Sequence, residues 1–153
     1  GLAEDEADAA AKLTAALKES RGLAKLEAML TALGAEDAGY VIAHPESLCQ
    51  VRRKVDVTLD GEGYICAMHA ADIGNAAQML GAGRAEKTDV IDPAVGLVMH
   101  KRMGDHVAAG EAVATMYVND QSRLDAAIAV LKGAIELGAD KPAPAPMVHG
   151  IVQ

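Results

Sequence analysis

The sequence predicts an α+β fold, on three observations. Apolar residues share one parity at Val51, Val55, Val57 and Leu59, and again at Val95, Leu97, Met99 and at Val113, Thr115, Tyr117, the period of two expected of half-buried strands. In other stretches they recur at three- and four-residue spacing, as on one face of a helix. The two patterns follow each other as β-β-α, a long loop, then β-β-α-β, which suits an α+β fold rather than a doubly wound parallel sheet.

Residues 4–19 are rich in alanine and leucine, with acids in the first turn, where the positive end of the helix dipole favours them. Ser20 breaks this helix and is a candidate N-cap for a second one, built on Leu23, Leu26, Met29, Leu30 and Leu33 and ended by Gly34. Residues 35–50 carry Gly39, Pro45 and mixed polarity without a period, so they read as a linker. The domain boundary is expected there, between a helical segment over 1–34 and an α+β domain over 51–153.

Asp60-Gly61-Glu62-Gly63 turns the strand of Val51 to Leu59 back into residues 64–69, which predicts a hairpin. A helix opens at Ala71 or Asp72 with Ile73, Ala76, Ala77 and Leu80 on one face and stops at Gly81. The aperiodic stretch GAGRAEKTDVIDPAVG follows, long enough to suggest a functional loop. A second pair of strands leads to a helix capped by Asp120 or Ser122, with Leu124, Ile128, Leu131 and Ile135 as its buried stripe and Gly138 at its end. The tail Pro142-Ala143-Pro144-Ala145-Pro146 is expected to be extended, with an edge strand over residues 147–152.

Composition narrows the function classes. The chain has 153 residues, 51% of them hydrophobic, enough for a sizeable core. Tyr40, Tyr64 and Tyr117 are its only aromatics, so that core is aliphatic and methionine-filled, and a platform for stacking bases is not expected. A net charge of -8 disfavours binding to nucleic acid, and the basic runs Arg52-Arg53-Lys54 and Lys101-Arg102 read as solvated strand and turn positions. No apolar stretch approaches the roughly 20 residues of a membrane helix. Cys49 and Cys66, in a chain with no signal-like segment, suggest reduced thiols and a cytoplasmic protein.

The most informative stretch is AVGLVMHKRMGDHVAAGEAVATMYVND, residues 94–120, in which glycine turns at Gly104-Asp105 and Gly110-Glu111 separate two strands. It reads as a small β module of the barrel-sandwich kind. Lipoyl and biotinyl carrier domains use a similar pattern, but they present a lysine between two methionines at a hairpin tip. Met116-Tyr117-Val118-Asn119-Asp120 offers no lysine, so a carrier role fails chemically.

Four pieces in order, GYICAMHAADIGNAAQMLGAGR, DVIDPAVG, GDHVAAGE and MYVND, resemble the C-terminal part of a pyrimidine nucleoside phosphorylase, the thymidine phosphorylase family. RGLAKLEAMLTALGA, residues 21–35, also resembles the helix that precedes that domain, although Leu33-Gly34-Ala35-Glu36 stand where the family commonly has Gln-Gly-Gly-Asp. The resemblance implies an α/β-hammerhead domain with a barrel-sandwich-like β element. It further implies an intact pentosyltransferase that takes a pyrimidine nucleoside and phosphate, the latter as co-substrate, and works as a homodimer. The family's phosphate- and nucleoside-binding residues lie in an earlier, larger domain that the chain does not contain. With no initiator methionine and a start inside a helical region, the chain is expected to be a fragment, inactive alone, that docks on an N-terminal substrate domain. The rival reading is a non-catalytic interaction module related to the carriers.

Within the chain, Gly81-Ala82-Gly83-Arg84 invites a phosphate-loop reading, since glycines admit backbone amides to an anion and arginine binds it bidentately. Yet phosphate loops sit before a helix, and here the helix comes first. A helix stop plus interdomain contact is the preferred reading, with Gly81, Gly83, Arg84 and Asp92 as a candidate closing loop, loosely held when its partner domain is missing. Asp92 stands before Pro93, where a restricted backbone and a carboxylate can organise a turn. Cys66 and His69, with the distant Cys49 and His44, have ligand spacing, but three residues apart on a strand they point oppositely, and no metal is expected. His100 and His106 bracket the Gly104 turn without a carboxylate or thiol to complete a site. No carboxylate pair, G-x-S-x-G, H-E-x-x-H or Walker motif supplies catalysis, and no cofactor is expected.

Overall fold

The computed structural model describes residues 2–146, Val148 and Gly150, so the edge strand expected over 147–152 falls largely outside the described residues. The chain divides into two compact units, Gly1–Leu48 and Cys49–Gln153.

In the first unit, helix α1 (Glu6–Lys18) is capped by Asp5, whose carboxylate accepts the Asp8 amide at 2.8 Å. Helix α2 spans Arg21–Ala32. Ser20 separates the two by adopting a left-handed backbone at φ 55° and makes no side-chain cap, so it acts as a break and not as the N-cap. Beyond α2, the Ala35 amide donates to the Leu30 carbonyl and the Gly34 amide to that of Thr31, the paired bonds of a Schellman end. The stretch read as an aperiodic linker contains helix α3 (Ala38–Ala43), because Asp37 caps it through the Tyr40 amide at 2.8 Å. Ala38 is the one described residue of this unit that is fully buried, while Leu17 and Leu33 stay 82% and 76% exposed.

The second unit holds two antiparallel three-stranded sheets, in the orders β1-β5-β3 and β4-β2-β6. Their strands are β1 (Arg53–Thr58), β2 (Gly63–Met68), β3 (Gly96–Met99), β4 (His106–Val107), β5 (Ala112–Val118) and β6 (Ile135–Gly138). The fold is α+β, and the two sheets remain separate rather than closing into one barrel. The expected hairpin of β1 with β2 does not form. The turn between them is a corner: β1 pairs with β5, and β2 crosses into the other sheet to lie between β4 and β6. Gly63 makes that crossing feasible, for it sits at φ 147° and a Cβ there would lie 2.6 Å from the Gly138 carbonyl oxygen.

Strand β5 is the middle of its sheet and is buried on both faces, with Val113, Ala114, Met116 and Val118 all inaccessible. Sequence alternation assigned only Val113, Thr115 and Tyr117 inward, since a strand covered on both sides has no polar face to reveal its period. Val55, Met116 and Leu97 stand opposite one another across β1, β5 and β3. Helix α4 (Ala70–Ala77) packs on α5 (Leu124–Gly133), and Ala76, Leu80, Ala127 and Leu131 enter an aliphatic core with Val57, Ile65, Val107 and Met116. Full burial of each large side chain contributes roughly 1.5–3 kcal/mol. The last helix ends earlier than its apolar stripe suggested. Ile135 belongs to β6, facing Met68 of β2, and Leu137 faces Ile65.

Candidate functional site

A loop grows from the end of α4. Residues Gln78–Ala82 form a widened final turn, and Gly81, at φ 104°, stops the helix as its residue type allows. The chain then returns on itself, because the Asp92 amide donates to the Gly81 carbonyl at 3.0 Å and closes the neck. A compact Ω-loop results. Inside it the Asp89 carboxylate accepts the amides of Ala85 at 2.9 Å and Glu86 at 3.0 Å, while the Gln78 amide group donates to the Arg84 carbonyl. The stretch that lacks sequence periodicity is therefore ordered by side chains bonded to backbone, not by a repeating apolar pattern.

Asp92 organises the neck. One carboxylate oxygen accepts the Ala94 amide at 2.9 Å across the Pro93 turn, and the other accepts the Asn119 side-chain amide at 2.7 Å. Asn119 accepts the Arg52 backbone amide at 2.9 Å with its own oxygen, so it joins the segment before β1, the end of β5 and the loop. The sequence offered no sign of this role, since partners 27 and 67 residues away form no local pattern. Asp120 is an Asx turn that accepts the Ser122 amide at 2.9 Å, and α5 begins only at Leu124, later than either expected cap would place it.

Between the loop and the β5–α5 connection lies an open cleft of about 480 Å³, lined among others by Gly81, Gly83, Asp89, Asp92, Asn119 and Arg123. Its carboxylates are held ionised. The Asn119 and Ala94 hydrogen bonds keep the Asp92 carboxyl below the usual range, and the Glu86 and Ala85 amides do so for Asp89, aided by the charges of Arg123 and Arg84. Asp120 is lowered by its bonds to Ser122 and by Arg123 and Arg52. Of the four residues singled out from sequence, Gly81, Gly83 and Asp92 line this cleft, and Arg84 is exposed on the loop beside it. Val90 and Ile91 add an apolar surface to the loop, 89% and 43% exposed.

The remaining candidates serve the scaffold. His100, just past β3, contacts the Thr115 hydroxyl at 2.7 Å, and that hydroxyl donates to Asp56 at 2.5 Å, a chain from the end of β3 over β5 to β1. His106 lies in the other sheet with its ring edge-on to Tyr64 at 5.0 Å, so the two histidines bracketing the turn have separate partners. Cys66 is half-buried on β2, and His69 leaves that strand to precede α4, 3.4 Å from Glu136. Cys49 is exposed, and His44 packs on Tyr40 at 4.6 Å. Lys101 is less solvated than its sequence setting suggests, pairing with Glu111 at 2.5 Å and bonding the His106 carbonyl. Met116 to Val118 lie inside β5 between two neighbours, not at a hairpin tip as in carriers. No helix among the described residues is long and apolar enough to cross a membrane.

Residues 64–138, which include the loop, the cleft and the strands from β2 to β6, match the pyrimidine nucleoside phosphorylase C-terminal domain family. The chain is 34% identical over 145 residues to a pyrimidine-nucleoside phosphorylase of Bacillus subtilis (strain 168), an overlap of 95% of this chain and 33% of that protein. It is 35% identical over 150 residues to one from Staphylococcus aureus (strain USA300), covering 98% and 34%. The chain thus spans about a third of the length of the curated relatives it matches.

Proposed function

Because residues 64–138 belong to the pyrimidine nucleoside phosphorylase C-terminal domain family, we propose that this chain is the closing, C-terminal part of an enzyme that transfers a pentosyl group from a pyrimidine nucleoside to phosphate. In that reaction a phosphate oxygen attacks the anomeric carbon as the glycosidic bond to the base breaks, giving pentose 1-phosphate and the free base. The oxocarbenium-like centre is vulnerable to water, so closure of one domain over another protects it and completes the substrate contacts. The observation that carries this reading is the family match over the segment that builds the Ω-loop and its cleft. In the loop, Gly81, Gly83, Arg84 and Asp92 shape and present the surface that meets the substrate domain, and phosphate is a co-substrate with no resident cofactor.

The exposed leucines of α1 and α2 fit the same reading, since a unit that buries almost nothing of its own needs another surface to cover it. Residues 1–34 are then part of the larger domain and 51–153 form the hammerhead-type closing domain. The intact enzyme would be a cytoplasmic homodimer, a setting that suits the unpaired Cys49 and Cys66.

The test is a replacement. The chain alone is predicted to show no phosphorolysis of uridine or thymidine, while a hybrid in which it replaces the aligned third of the Bacillus subtilis relative turns nucleoside over. A folded hybrid without turnover, or turnover by the chain alone, would overturn the proposal.

A further inference from the structure

Resting on the closing-loop reading, we infer that Asn119 is the positioning residue of the loop, through a side-chain latch to Asp92 that fixes the loop's neck to the β5–α5 connection. Three observations converge on it. The Asp92 amide closes the neck on Gly81, the Asp92 carboxylate receives both Ala94 and Asn119, and Asn119 is itself oriented by the Arg52 amide. The amide group of Asn119 thus has one donor and one acceptor duty, and its rotation is fixed by them: oxygen toward Arg52, nitrogen toward Asp92. A carboxylate acceptor makes the latch charge-assisted and stronger than a neutral bond.

This donor–acceptor logic gives the latch a signature that simple space-filling lacks. In Asn119→Asp two carboxylates meet at the neck and repel, so the loop loosens at neutral pH and tightens as acid lets the pair share one proton. The native latch behaves oppositely. Asp92 has a depressed pKa, so its contribution is present above the ordinary carboxylate pKa of 3.8 and is lost as pH falls through the lower folded value. The charged groups around the pair are Arg84 and Asp89 on the loop, Asp120 and Arg123 after β5, and Arg52 before β1, none of which reproduces that inversion. The double variant Asp92→Asn with Asn119→Asp restores every bond with the roles exchanged. Its side-chain amide at position 92 accepts the Ala94 N–H and donates to the carboxylate at position 119, which in turn accepts the Arg52 N–H.

Amide hydrogen exchange on this chain reads the latch without any catalysis. The amides of Asp92 and Ala94 are expected to exchange about tenfold faster in Asn119→Leu, the size of one lost charge-assisted bond, while β5 amides keep their protection. Asn119→Asp should show the inverted pH response, and the swapped double variant should return both amides toward the original rates. Failure of the swap to restore protection with β5 intact, or a wild-type-like pH response in Asn119→Asp, overturns the inference. In the active hybrid, kcat should fall and recover along the same series. Exchange that follows the latch while kcat stays flat would reject the closing role of the loop and leave the latch standing.

Discussion

At the scale of single residues, two glycines of the β1–β2 corner share a left-handed backbone but differ in what surrounds them. Gly63 is where β2 begins after the corner, and an alanine there would be strained at φ 147° and would press its Cβ to 2.6 Å from a backbone oxygen that cannot swing away. Gly63→Ala is expected to lower stability by about 2 kcal/mol or more, measured by denaturant unfolding, whereas Gly61→Ala, at φ 141° but with open space around it, should suffer the strain without the collision. Equal losses in the two would mean that the Gly138 contact is unimportant. The role of Asp92 was legible because an acid before proline has a local function. Asn119 was not, because its importance is a matter of which distant segments fold beside it. The same holds for Thr115, which reads as an ordinary strand residue until the sheet brings His100 and Asp56 to its hydroxyl.

At the scale of elements, helices α2 and α4 follow their apolar spacing and their glycine stops, and α1 ends at the Ser20 break, features set within a few residues. Strand pairing is set elsewhere. The β1–β2 turn has the composition of a hairpin, but the two strands pair in different sheets, so tertiary context overrides the local signal. Ile135 shows the same competition, for its spacing from Leu131 continues the stripe of α5 while its alternation with Leu137 suits β6. Burial against β2 decides for the strand. Leu131 marks the true end of the helical stripe and is fully buried, so Leu131→Ala is expected to cost about 2–5 kcal/mol in thermal or denaturant unfolding. A loss below about 1 kcal/mol would show that the α4–α5 layer does not contribute to the core as described.

At the scale of the molecule, the two units have opposite characters. Cys49–Gln153 has an aliphatic core and a loop closed by its own hydrogen bonds, while Gly1–Leu48 presents leucines to solvent. The decisive measurement is hydrogen exchange across the loop in the active hybrid, with and without phosphate plus a pyrimidine nucleoside analogue that resists phosphorolysis. A closing role predicts that amides from Gly83 to Ile91 slow by about tenfold when both ligands are bound, while β5 is unchanged. Identical loop exchange in the two states, in a hybrid that binds both ligands, would contradict it.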